Sequence, residues 1–90
     1  MAKAVVDPAE LRRFAQDLKK FSTDLQQQTS GINARLATLA QTWRDQEQAK
    51  FTEEFEVTVR ALQKFTKACD QHVPYLLRKA DAAEAYLNQR

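Results

Sequence analysis

The stretch Ala40-Gln41-Thr42-Trp43-Arg44-Asp45-Gln46-Glu47-Gln48 divides the chain into two amphipathic halves, and its reading decides the fold. Before it, Leu11, Leu18, Leu25, Ile32 and Leu39 recur every seven residues. After it, Phe55, Leu62, Cys69, Leu76 and Ala83 do the same. A sustained seven-residue apolar line marks a helix that lies along another helix. Trp43 closes the first stripe. Asp45 offers a side-chain acceptor to the free amides of a second helix, with Gln48 three positions on to complete a capping box. Glu47 adds negative charge where the helix dipole is positive. Two such helices joined by a short turn must fold back on each other, so the sequence predicts an all-α antiparallel two-helix hairpin.

Working outward, Asp7-Pro8-Ala9-Glu10 reads as the first helix start: an acceptor, a proline with no amide to leave unbonded, and a glutamate placed for a capping box. Helix 1 is expected over about 8–42, the turn over 43–45 and helix 2 over about 46–88, within one domain of residues 1–90. Phe14 and Phe21 follow the leucine line three residues on, whereas Leu36 and Trp43 follow it four residues on, which predicts a seam that drifts along helix 1. Gly31 interrupts that stripe at a cost of about 0.5–1 kcal/mol relative to alanine. It reads as a weak point inside one helix, with a close helix crossing as the functional alternative. The second stripe runs Phe51, Phe55, Val59, Leu62, Cys69, Val73, Leu76, Ala80, Ala83, Leu87. Pro74 lies within it, removing a donor and crowding the Asp70 carbonyl. Because the apolar spacing continues to Leu87, a kink near Cys69–Val73 is expected in place of a stop, with residues 85–90 fraying.

Composition narrows the function. One Gly and two Pro in 90 residues cannot supply the turns of a β-hairpin protein. Hydrophobic residues at 43% with 29% charged argue for a folded helical chain. The 14 basic residues nearly cancel the 12 acidic ones, and a net charge of +2 does not favour nucleic acid or anionic lipid. Arg60, Lys64 and Lys67 form a basic stripe, but Glu53, Glu56 and Asp70 interleave with it, as on a solvated face. One cysteine makes no internal disulfide. The amino terminus lacks the apolar run of a signal peptide, and no segment approaches the ~20 apolar residues of a membrane span.

Catalytic readings fail on inventory. Cys69 and His72 are three apart, but two ligands do not make a metal site. Cys69 on the apolar line reads as a small core residue. Glu53, Glu54 and Glu56 suit a helix start better than acid–base chemistry. No enzyme activity, metal or cofactor is expected.

A hairpin of 90 residues has a thin core, and small helical scaffolds commonly add oligomerisation. Phe65, Ala68, His72, Tyr75, Ala82 and Tyr86 widen the apolar face of helix 2 beyond one seam. They are the candidate partner face, and pairing of two hairpins into a four-helix bundle is the expected use.

The turn, Thr42-Trp43-Arg44-Asp45 followed by Phe51, resembles that of the WXG family of early-secreted-antigen-type helical hairpins. The resemblance extends over the whole chain in length, helix count and turn position. It implies a non-enzymatic substrate or partner in a type VII-like secretion system, acting as a homodimer or heterodimer and offered to secretion machinery. Trp43, Arg44, Asp45 and Phe51 would form the turn motif, and export would need no signal peptide. Two departures qualify it. Asp45 stands where the family has glycine; Asp is among the few residues that accept positive φ, and it also caps. The family's tail signal is Tyr followed four residues later by Asp or Glu, whereas here Tyr75 precedes Lys79 and Tyr86 precedes Arg90. The alternative is a cytoplasmic helical adaptor that binds a partner protein and is not exported.

Overall fold

The structure, a computed structural model, describes residues 6–89. Met1–Val5 of the amino-terminal reading and Arg90 of the tail comparison lie outside them. Among the described residues there are two helices, α1 (Pro8–Leu39) and α2 (Gln46–Asn88).

Both helices begin as their sequences direct. The Ala9 amide donates to Asp7 Oδ1 at 2.9 Å, and the Leu11 amide opens the helical ladder on the Asp7 carbonyl at 3.0 Å. At α2 the Gln48 amide donates to Asp45 Oδ1 at 2.9 Å, and the Ala49 amide to the Asp45 carbonyl at 3.2 Å. Each capping box is half formed. Gln48 does not return to the cap; its Nε2 donates forward to Thr52 Oγ1 at 2.8 Å.

The first helix ends at Leu39, earlier than the apolar pattern suggests. Its last ladder bonds tighten into three-residue steps, Gln41 amide to Thr38 carbonyl and Thr42 amide to Leu39 carbonyl, both 3.1 Å. Side chains add to this end: Thr42 Oγ1 donates at 3.3 Å to Leu39 O, which also accepts the Thr42 and Trp43 amides, and Arg44 Nε donates to Ala40 O at 3.4 Å. No described residue has positive φ. Asp45 therefore replaces the family's glycine as a cap alone, and its tolerance of left-handed backbone is not used.

Chain contacts divide into two compact units, Met1–Ser22 with Ala68–Arg90, and Thr23–Lys67. In the first, Arg12 pairs with Asp81 and Glu84 while Ser22 Oγ donates to Asp70 Oδ1 at 2.9 Å. Later residues of α1 thus meet earlier residues of α2, which makes the pairing antiparallel. Its interior is made of small side chains: Ala15, Ser22, Cys69 and Ala80 are buried. In the second unit Val59 and Thr66 are the buried side chains among the described residues. Thr66 Oγ1 donates back to the Gln63 carbonyl at 3.0 Å, so its polarity is satisfied.

On α2, every buried or half-buried residue from Gln48 to Leu87, Ala68 apart, follows an unbroken alternation of four and three. The apolar line anticipated there is the inward one, with Gln48, Thr52 and Thr66 added and Phe51 left 44% exposed. On α1 the inward companions of the leucine line are Ala15, Ser22, Thr29 and Leu36, four residues on throughout, and Trp43, past the end of the helix, keeps the same step. The expected drift is absent: Phe14 and Phe21 are 54% and 50% exposed. Small residues at Ala15 and Ser22 let backbones approach closely, and the bulky rings are displaced to the flank. α1 continues through Gly31 and α2 through Pro74, whose residue is exposed and leaves the inward line uninterrupted.

Candidate interaction surface

The turn-end unit gathers three rings. Trp43 and Phe51 lie 6.0 Å apart between centroids at 40°, and Phe51 and Phe55 stack at 5.7 Å and 16°. These separations are those of favourable aromatic pairs, worth about 0.5–1.5 kcal/mol beyond burial. Trp43 and Phe55 are half-buried and Phe51 remains the outer ring. Beside them Ile32, Arg35, Leu36, Leu39, Phe51 and Phe55 line a shallow apolar hollow of about 210 Å³. Arg44 and Asp45 serve the backbone, as described above, and their side chains close the ends of the two helices.

The candidate partner residues separate by exposure. Tyr75 and Tyr86 are 54% and 56% exposed in the open-end unit, where His72 and Ala82 are also exposed and Ala68 is half-buried. Phe65, 48% exposed, belongs to the turn-end unit. Sequence reasoning missed Phe14 and Phe21, which α1 presents outward. The available signal was the pair of small residues beside them, Ala15 and Ser22, at the same seven-residue interval as the leucines.

Polar chemistry is sparse and structural. Arg12 is held by Asp81 and Glu84, whose hydrogen bonds and charges raise its guanidinium above the ordinary arginine value, Asp81's hydrogen bond most. Cys69 is buried in the seam whereas His72 is exposed, so the two do not share a ligand face. Among the described residues no group of three or more His, Cys, Asp or Glu side chains is placed to hold a metal ion. No helix among them is long and apolar enough to cross a membrane.

Two long helices joined by a short turn that carries a tryptophan define a class of small helical-hairpin proteins. The sequence model for proteins of 100 residues with WXG matches residues 4–86, and the chain belongs to that family, WXG100. Among solved structures it is similar to the wild-type secreted protein EsxB of Bacillus anthracis strain Sterne. Identity there is 28% over 93% of this chain and 97% of that one, with a TM-score of 0.77. The selenomethionine-labelled form of the same protein matches at 28% identity over 96% and 98%, with a TM-score of 0.78. No match is found among curated proteins.

Proposed function

We propose that this protein is a non-enzymatic pairing module, a substrate or partner of a type VII-like secretion route, which works by docking its hairpin against a second, related hairpin to form a four-helix bundle. One observation carries the reading: large aromatic side chains face out along both helices, while the buried side chains of the unit Met1–Ser22 with Ala68–Arg90 are the small Ala15, Ser22, Cys69 and Ala80. Phe14, Phe21, Phe65, Tyr75 and Tyr86 are each about half exposed. Exposed apolar surface on this scale, on so small a chain, is surface kept for a partner. The family and the description of EsxB as a secreted protein supply the secretion context. The cytoplasmic adaptor remains the second reading, favoured by Lys79 and Arg90 where the family's tail signal would place an acid.

Sedimentation equilibrium from micromolar to hundreds of micromolar, alone and mixed with co-encoded hairpins, tests the pairing. A species near twice 10.4 kDa supports it. A chain that stays monomeric in every mixture overturns it. Appearance of the protein in culture medium, dependent on the secretion ATPase, separates the export route from the adaptor.

A further inference from the structure

The two ends of α1 are held in different ways. In the open-end unit Ala15 and Ser22 are buried, and Arg12 and Ser22 bond to α2. From Gln27 to Leu39, within the turn-end unit, every side chain is exposed or half-buried. That stretch contains Thr29-Ser30-Gly31-Ile32-Asn33, five successive residues from the weaker half of the helix-propensity order. Thr and Ile lose rotamer freedom in a helix, Gly loses backbone freedom, and Ser and Asn offer their own side chains to a non-helical backbone.

The residues that follow do little to restore what this run gives up. Thr38 Oγ1 donates back to the Ala34 carbonyl at 3.3 Å, a contact inside α1 that competes with its ladder. The last turn carries no basic residue to face the negative end of the dipole, and no left-handed residue closes it. Ile32 and Leu39 are about half exposed, and with Leu36 they leave the shallow hollow against Phe51 and Phe55 unfilled. Contacts missing across such a gap are dispersion energy forgone. Gly31 fits the same pattern. Its φ is not positive and a Cβ built on it would meet nothing within 4 Å, so neither a turn nor packing calls for glycine. What glycine does there is make unwinding easier.

The facing part of α2 keeps its own supports. Asp45 caps it, Gln48 bonds to Thr52, and Phe51 stacks on Phe55, all without help from α1. Within the unit its longest weak run is Val57-Thr58-Val59, and Val59 is 7% exposed. α2 is one continuous helix from Gln46 to Asn88.

We infer that residues 29–39 of α1 form a lid that unwinds by itself while α2 and the open-end unit stay folded. Opening bares Phe55 and Val59, an apolar strip that the closed hairpin keeps from water. The device acts within a single chain and does not depend on the pairing function proposed above.

Hydrogen exchange of the full chain, followed residue by residue under conditions where the rate tracks the opening equilibrium, tests it. Amides of residues 33–39 are expected to exchange at least about tenfold faster than those of residues 53–66 in the same unit. Their rates should change little with sub-denaturing urea, because a short segment exposes little surface, whereas the slowest amides of α2 should accelerate with the full slope of global unfolding. Gly31→Ala should slow the lid amides roughly fivefold, the difference in helix propensity between the two residues expressed as a ratio of populations. Protection of 33–39 equal to that of 53–66 overturns the lid. So does a urea slope matching that of the slowest amides, which would mean that the segment opens only with the whole chain. Lid rates unchanged by Gly31→Ala would overturn it as well.

Discussion

In the open-end unit, Ala15, Ser22, Cys69 and Ala80 are 1%, 0%, 3% and 0% exposed; in the turn-end unit Ile32, Leu39 and Phe51 remain 47%, 49% and 44% exposed. Leu11 and Leu18 are half-buried, whereas Ile32 and Leu39, on the same seven-residue line, are exposed. The contrast shows that hydrophobicity alone does not close a helix pair. Small side chains let two backbones come close enough to exclude water on both sides. Larger ones brace each other, as Trp43, Phe51 and Phe55 do, and leave apolar surface over for something else.

The strongest way to break the contrast is to overfill the close-packed end. Ala80→Leu forces extra atoms into a fully buried site and is expected to cost about 1–3 kcal/mol in urea unfolding. Ile32→Ala, at a half-exposed site, should cost the single hairpin less than about 1 kcal/mol. Equal losses at both sites would erase the distinction between the units.

The turn end can then be probed through its cap. Asp45→Ala removes the acceptor for the Gln48 amide and is expected to cost about 1 kcal/mol. Asp45→Gly, which restores the family's residue, should cost only a few tenths. A larger loss with glycine than with alanine would show that Asp45 does more than cap.

Gly31→Ala sharpens the comparison in the opposite direction. With open space at its Cβ and an ordinary helical backbone, alanine should stabilise the dissociated hairpin by about 0.5–1 kcal/mol, read from unfolding at high dilution. Destabilisation there would mean that the chain itself uses the missing side chain.

The smallest effect belongs to Arg12. Its raised value means that its stabilising charge is lost only as pH rises above the ordinary arginine range, so the contact with Asp81 and Glu84 has no alkaline transition near neutrality. Arg12→Gln should lower the melting temperature slightly in low salt and hardly at all in molar salt, because exposed pairs are screened.

The candidate surface was only partly legible. Tyr75 and Tyr86 stand out from the inward line of α2 because that line is complete without them. Phe14 and Phe21 do not, since a ring three residues from a leucine fits a seam as well as an alanine four residues away. Periodicity supplies two admissible stripes on α1 and no means of weighing them. The choice falls to how closely the backbones approach, which the buried Ala15 and Ser22 decide only once α2 lies against them.

By itself the sequence determined that there are two helices, where each begins, which line of α2 turns inward and that the chain reverses between them. These are local matters, decided by caps, by the absence of turn-forming residues and by a seven-residue repeat. Tertiary structure decided that Asp45 acts as a cap without left-handed backbone, that small residues form the interior of α1, and that six aromatic rings remain outside. Those outcomes depend on how closely two helices can approach, a distance that neither helix specifies until it meets the other.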